Sequence, residues 1–416
     1  MLKLGRIQLS GFNTTSATVE TVDAAEFVGS PTGRLVPIQG NDPRYGPWQH
    51  IAFCAHPLAA DCPSLKPQTY NAIADARGAL GALDSSARQL PSPDLLSLPV
   101  LRREAQSTSA LEGTYAPLEA VLAADEEVEQ GDATMREIVN YMRMALHAYA
   151  WRRDGRPLSL NLLTELHRLL VRGTDADTEQ AGRIRTIQVV IGGNRGGRVR
   201  DARFVPHPPG DELDRRVRDW VKWFDECNHL EIDPVVAAGM AHYQLETLHP
   251  FNDGNGRIGR LLIVLHFLYS GVLDQPILTV SPWFEARRAD YYNALMGVST
   301  SGDWDTWLQF FATGIAASAR QTDQQLRELL GVQTELKRRI RESKMRAETA
   351  MRLVDLALAR PIFTTKQAAR DLGVSNARAH KLIGQLEELG ILRQHETAYP
   401  REFSAPELLA VVLRGA

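Results

Sequence analysis

Cysteine is scarce in this chain. Cys54, Cys62 and Cys227 are the only three, an odd number at no metal-ligand spacing, which excludes a disulfide framework and a zinc ribbon or finger. Long apolar runs are also missing. The longest, Leu261–Leu268, is far short of the roughly 18 residues that a membrane-spanning helix needs. Neither sign of charge dominates, with 47 Lys+Arg against 50 Asp+Glu, so nothing global advertises nucleic acid. Met1–Ser16 lacks the charged-then-apolar order of a secretory leader. No internal repeat or low-complexity tract stands out. A soluble protein in a reducing, cytoplasmic setting with no membrane partner is the expectation. At 416 residues there is room for one large domain or two to three ordinary ones.

What is present is mostly helical periodicity. Residues 1–45 are rich in Gly, Thr, Ser and Pro and read as irregular or a short hairpin. Apolar residues recur at helical spacing over Pro67–Ala87; Pro91-Ser92-Pro93 breaks the pattern, and a second helix runs through Val100, Leu101 and Glu104 to about Leu111. Further helices are predicted over Met135–Trp151, over Ser159–Val171 with Ser159 as N-cap, and over Asp211–Cys227. Asp233-Pro234 supplies a cap and first-turn proline for a helix ending near Leu248. Glu285–Val298, Asp303–Ala319 and the polar Gln321–Glu348 complete the set, the last as a connector or dimer-facing helix. One segment differs. Gly182–Gly193 is β-branched and glycine-bounded, and with Ala202–Pro206 it reads as a hairpin, a candidate active-site flap inside a helical protein.

The densest chemistry lies in His249-Pro250-Phe251-Asn252-Asp253-Gly254-Asn255-Gly256-Arg257-Ile258-Gly259-Arg260. A glycine-rich loop opening a helix is an anion site, because unpaired N–H groups and the positive end of the helix dipole point outward. Arg257 and Arg260, about one turn apart, can clamp phosphate oxygens; Asp253 can hold a divalent cation and His249 can take a proton. His249 alone, or Gly254-Asn255-Gly256 alone, would mean little, since packed histidines and glycine turns are common. The joint spacing is specific.

That stretch resembles the motif of the Fic family, H-P-F-x-[D/E]-G-N-G-R-x-x-R, at every fixed position. Thr108-x-x-x-Glu112-Gly113 is similar to the family's inhibitory-helix signature; read by itself, Glu112 is a solvated charge beside a helix stop at Gly113. Gln188-Val189-Val190-Ile191-Gly192 looks like the flap strand, and Tyr291-Tyr292 stands where the family places aromatics beside adenine. The resemblance implies a mainly α fold: a Fic-type helical core with a β-hairpin flap. It implies transfer of AMP from ATP to a Ser, Thr or Tyr hydroxyl of a target protein, or of the chain itself, with release of pyrophosphate. His249 would be general base, and Asp253 the Mg²⁺ ligand. The ATP site would be formed by Glu112, Val189, Val190, Ile191, Gly192, Asp253, Gly254, Asn255, Gly256, Arg257, Ile258, Gly259, Arg260, Tyr291 and Tyr292. Thr108, Glu112 and Gly113 would form an inhibitory element, with Glu112 aimed at Arg260. Gly256, where phosphate-transferring relatives carry lysine, favours AMP transfer; other nucleotides and AMP removal stay open.

The expected layout is an N-terminal extension over 1–95, a catalytic core over 96–330 containing the inhibitory helix 99–113, the flap 183–205 and the motif 249–260, a linker helix over 331–349, and a winged helix-turn-helix over 350–416. Within 361–416, seven Lys+Arg face six Asp+Glu, weak electrostatics for DNA. Asn376, Arg378, His380 and Lys381 on the recognition-type helix keep a DNA-binding regulator as the alternative, with protein docking favoured and a homodimer expected.

Overall fold

A computed structural model describes residues 24–42, 44–88, 94–125, 131–192, 199–227, 231–343, 347–395 and 400–414. The chain opens with a hairpin of two ten-residue strands, β1 (Gly33–Asp42) and β2 (Gly46–Ala55), antiparallel in one unbroken register from Gly33↔Ala55 to Asp42↔Gly46. Helices follow: α1 (Pro67–Arg88), α2 (Asp94–Leu111), α3 (Leu118–Ala123), α4 (Ala133–Arg153), α5 (Leu160–Val171), α6 (Asp211–Glu226), α7 (Pro234–Leu248), α8 (Asn255–Tyr269), α9 (Ser281–Ala286), α10 (Arg288–Ser301) and α11 (Trp304–Glu342). The C-terminal part contains α12 (Ala347–Ala359), β3 (Ile362–Thr364), α13 (Thr365–Leu372), α14 (Asn376–Glu388), β4 (Arg393–Gln394), β5 (Glu402–Ser404) and α15 (Pro406–Leu413). The fold is mainly α with small antiparallel sheets, as expected.

Several termini follow from single residues. Ser159 accepts a hydrogen bond from the Leu162 N–H at 3.2 Å, and Asp233 accepts one from Val235 at 2.8 Å. Thr364 and Gln367 cap one another reciprocally at the start of α13. Central to the molecule are α7 and α8, buried almost all round. Gly239 lets α11 come close: a Cβ there would stand 2.7 Å from Leu308, and the Trp307 indole N–H donates to the Gly239 carbonyl at 3.0 Å. Trp220 of α6 does the same to Ala241 at 3.0 Å, which places both tryptophans in the core.

The structure departs from the sequence reading in four places. A long hairpin occupies 33–55, most of it inside the stretch read as irregular or a short hairpin. The segment 183–205 forms no extended ladder among the described residues; Ile191 and Phe204 make one isolated antiparallel bridge, and the expected turn falls largely on 193–198, outside the described residues. The Phe53 N–H donates to the Val205 carbonyl at 2.9 Å, so this segment leans on β2 rather than standing alone. Two small apolar clusters cement that contact, one around Val190, Val199, Val205 and Ala52, the other around Phe27, Phe53 and Phe204. The helix expected over Glu285–Val298 is split at Arg287 into α9 and α10. The break expected between Ala319 and Gln321 does not exist: α11 is one helix of 39 residues, because nothing there stops it. The break read at Pro91-Ser92-Pro93 lies outside the described residues.

β3, β5 and β4 form a three-stranded antiparallel sheet in that order, beside α13 and α14. Arg339 of α11 grips Glu407 of α15 through both carboxylate oxygens, at 2.7 and 3.0 Å, and Arg103 of α2 donates to the carbonyls of Val412 and Arg414, both at 3.3 Å. The C-terminal elements are thereby fastened to α2 and α11. No helix among the described residues is long and apolar enough to cross a membrane.

Candidate functional site

α7 delivers the residue that caps its C-terminus, His249, in the left-handed region at φ 49°, the one non-glycine residue with positive φ among those described. The chain turns there, and Asn255 closes the turn: its Oδ1 accepts from the Phe251 N–H at 2.9 Å and its Nδ2 donates to the Phe251 carbonyl at 2.8 Å. Gly254 follows at φ 77°, and α8 begins. Below the loop, His167 stacks on Phe251 with centroids 4.1 Å apart and accepts the Gly182 N–H at its Nδ1, 2.8 Å away. Burial, then the nearby Arg257 charge, pulls His167 down to about 4, so the imidazole stays neutral and able to accept.

His249 is 6% exposed, and burial followed by the Arg185 charge pulls it down to about 4 as well. At neutral pH it is an unprotonated imidazole, which is what proton abstraction requires. Asp253 keeps a third of its side chain exposed; its Oδ1 accepts from the Gly254 N–H at 2.6 Å and lies 3.4 Å from Arg257 Nη2.

Both arginines are buried, Arg257 to 4% and Arg260 to 1% exposure, and each is met by a carboxylate. Arg257 Nη1 donates to Glu137 of α4 at 3.2 Å. Arg260 donates from Nε to the Thr108 hydroxyl at 2.8 Å, from Nη2 to the Thr108 carbonyl at 3.1 Å, and from Nη2 to Glu112 Oε1 at 2.6 Å. Burial alone would raise the Glu112 carboxyl; the charge and hydrogen bond of Arg260, with Arg257 and Arg288 beyond, together reverse that and hold it below the ordinary carboxylate range. The same oxygen would stand 2.3 Å from a Cβ built on Gly256. A carboxylate therefore lies across the glycine-lined mouth of α8, where the free N–H groups and the helix dipole favour negative charge. Glu112 reaches it from just beyond α2, held by turn bonds from Glu112, Gly113 and Thr114 back to Ser109 and Ala110, with Gly113 at φ 92°.

The remaining expected residues fall around this centre in different ways. Val189 and Val190 are buried, Ile191 is half-buried, and Gly192 has φ 73°. Ile258 belongs to the main apolar core. Gly259 admits Glu246, whose Oε1 would be 2.7 Å from a Cβ there. Tyr291 is fully buried, its hydroxyl 2.6 Å from His242 Nε2, whereas Tyr292 is half-buried with the Arg203 guanidinium 5.8 Å over its ring.

Four polar residues at the site were not singled out from the sequence. Glu137 is one. Glu104, about two turns before Glu112 on α2, accepts the Val280 and Ser281 N–H groups at 2.9 and 3.0 Å and the Ser281 hydroxyl, pinning α2 to the start of α9. Glu246, one turn before His249, is pushed up to about 7 by burial, with Arg260 opposing and Glu112 adding to the rise. Arg185 is the fourth. Only Arg185 left a local trace, a charge set inside a β-branched run; the others need the fold to bring them near.

The family model described as Fic/DOC family N-terminal matches residues 70–150, and the one described as Fic/DOC family matches 157–267. Over 164 residues the chain is 36% identical to a protein named protein adenylyltransferase fic-1 from Caenorhabditis elegans, covering 39% of this chain and 28% of that protein. Protein adenylyltransferase Fic of Aedes aegypti is 31% identical over 155 residues, 37% of this chain and 27% of its own length. The match thus spans less than a third of these curated relatives. A solved Fic family protein from Desulfovibrio desulfuricans G20 shares the fold, with a TM-score of 0.51 at 22% identity, covering 82% of this chain and 97% of that one. The two matched segments enclose Glu112, the His249 turn and the arginines of α8, so this part of the chain, residues 70–150 and 157–267, is a Fic/DOC family domain.

Proposed function

We propose that this chain is a protein adenylyltransferase, moving AMP from ATP to a Ser, Thr or Tyr hydroxyl of a target protein or of itself, and that Glu112 holds it inactive. One observation carries the reading: an anion cradle at the start of α8, beside a neutral imidazole, is filled by a carboxylate of the chain itself. The curated relatives named protein adenylyltransferases support the same chemistry.

In this reading His249 accepts the proton of the target hydroxyl as its oxygen attacks the α-phosphorus. The N–H groups of the Gly254–Gly256 turn, with Arg257, face the charge that builds on the phosphate oxygens. Arg260 holds the γ-phosphate once Glu112 has left it, which sets the α–β bond in line for displacement. Asn255 keeps the loop closed while this happens. Asp253 is a partly exposed carboxylate beside the cradle and suits Mg²⁺, which takes one or two carboxylates and completes its shell with phosphate and water. Bound there, the ion would offset phosphate charge. Gly256 keeps the cradle open to phosphate, consistent with AMP transfer rather than phosphorylation. Val189–Gly192 would dock the target as an added strand, and Tyr292 would border the adenine.

The element order from α12 to β5 supports a winged helix-turn-helix over 350–416, used for docking rather than for DNA. Unpaired Cys54, Cys62 and Cys227 support a reducing, cytoplasmic setting, and a homodimer is part of the same proposal. Intact-mass measurement after incubation with Mg-ATP, comparing wild type with Glu112→Gly, tests the function. A gain of one AMP, larger in the variant, is expected; no gain in either would refute the reading.

A further inference from the structure

Arg185 is 1% exposed, yet among the described residues no carboxylate pairs with it. Every acceptor it uses is a backbone carbonyl. Nε donates to His249 at 2.8 Å, Nη1 to Ile187 at 3.0 Å, and Nη2 to Leu248 at 3.4 Å and to His207; its own N–H donates to Pro250 at 2.9 Å. Burying an unpaired guanidinium is costly, and burial pulls Arg185 down to about 9. Two things repay the cost in part. The Leu248 and His249 carbonyls are the negative end of α7, where a cation is favoured, and a planar five-donor fork can reach several carbonyls at once. The carbonyls belong to three separate strips: the His249 turn, the segment entering the flap, and the segment leaving it before Pro208.

We propose that Arg185 is a positioning residue for His249, a pin that fixes the flap and the catalytic turn in one register. This rests on the adenylyl-transfer reading above. A target strand laid along Val189–Gly192 takes its place from the flap, while the proton acceptor takes its place from the end of α7. Nothing in the sequence between them makes those two frames agree; Arg185 does, by bonding both. It also holds His249 in the left-handed turn from which the imidazole leaves α7. The charged groups facing that imidazole are Arg185 from the flap entry, Glu112 from the end of α2 and Asp253 from the loop, with the Glu246 carbonyl 3.3 Å from its Nδ1. Of these, Arg185 is the cation.

The test uses Arg185→Gln and Arg185→Lys in full-length protein carrying Glu112→Gly, with auto-AMPylation followed by intact mass at varied ATP. Arg185→Gln is expected to lower the rate at saturating ATP by about 100-fold, the scale of a small misplacement of reacting groups. KM for ATP should stay within about threefold of the parent, and Arg185→Lys should recover about tenfold of the loss. A rate within about threefold of the parent, or a KM that worsens in step with kcat, overturns the proposal. A second arm needs no turnover: the His249 imidazole is titrated by NMR in otherwise wild-type protein. Its midpoint should move upward in Arg185→Gln and stay in Arg185→Lys; an unmoved midpoint in the glutamine variant overturns the proposal. Should the Glu112→Gly parent transfer no AMP, the adenylyl-transfer reading fails and the titration alone decides. If the glutamine variant does not fold, Arg185→Lys decides, with a rate equal to the parent counting against the proposal.

Discussion

Replacing Glu112 by glycine removes one partner of the 2.6 Å contact with Arg260, whose exposure is 1% against 20% for the Glu112 side chain. Breaking a buried ion pair from one side costs about 3–5 kcal/mol, and the partial exposure of Glu112 places this pair at the low end, about 3 kcal/mol. Glycine near a helix end adds up to about 1 kcal/mol through backbone entropy, so Glu112→Gln, which keeps shape and backbone, is the cleaner companion. Arg260 keeps its two bonds to Thr108 in either variant, so the guanidinium stays aimed at the cradle. The same free energy then appears twice: as stability lost by the empty protein, and as affinity gained by any ligand that pairs with Arg260 again. About 3 kcal/mol is roughly 100-fold in a dissociation constant. ATP, whose γ-phosphate would make that pairing, should gain about this factor; ADP, which lacks it, should gain less than about a tenth as much. Calorimetric titration with ATP and ADP, set beside denaturant unfolding of the empty proteins, measures both sides. The reasoning fails if ATP and ADP gain equally, or if stability falls without a gain in ATP affinity.

Other expectations follow from the same contacts. His249→Ala should abolish AMP transfer in the Glu112→Gly background while leaving ATP binding by calorimetry within about threefold. Glu137→Gln removes the charge opposite Arg257 while an amide oxygen can still accept from it; transfer should fall by about tenfold with little change in melting temperature, read by intact mass and thermal scans. Gly256→Ala sets a Cβ 2.3 Å from Glu112 Oε1 and 2.9 Å from Arg260 Nη1, so it should loosen the Glu112 contact yet also crowd the cradle, giving no rise in transfer, unlike Glu112→Gly. Acid should destabilise the fold early. Burial depresses His167, His249 and His266 to about 4 and His242 to about 3, so between pH 6.5 and 4 the unfolded chain binds more protons than the folded one. Their stabilisation is present above about pH 6.5 and lost progressively as pH falls toward 4, with Glu246, raised to about 7, acting in the opposite sense. Urea midpoints measured from pH 7.5 to 4.5 should fall steadily; a flat profile would count against neutral buried imidazoles.

Local signals were legible in the sequence wherever a residue acts on its near neighbours. Ser159 and Asp233 cap the helices they were expected to cap. The spacing of His249 to Arg260 marked the turn and the helix after it. The hairpin over 33–55 was harder, since Pro37, Gly40 and a half-exposed pattern blur the alternation that marks a strand, and its support comes from Val205, far along the chain. The continuity of α11 was hidden because it serves several partners, α1 above all and also α7, α12 and α15, while the backbone continues unbroken. The α3 and α15 helices are too short for periodicity to register. Partners of the buried charges were invisible for a plainer reason. Glu137 lies 120 positions from Arg257, and Arg185 lies 64 from His249, so no spacing rule connects them.

The left-handed turn at His249 carries a consequence for what the chain would become under a different demand. A non-glycine residue there costs about 1–2 kcal/mol that glycine would not, and asparagine tolerates the turn better than most. Pooled variants at position 249, sorted only for resistance to heat or protease, should therefore rank glycine and asparagine above histidine, the residue the native chain keeps. Sorting the same pool for transfer should invert that order. Redesign guided by stability alone would erase this position first, and the gap between the two rankings measures how far this turn has been held away from its own best fold.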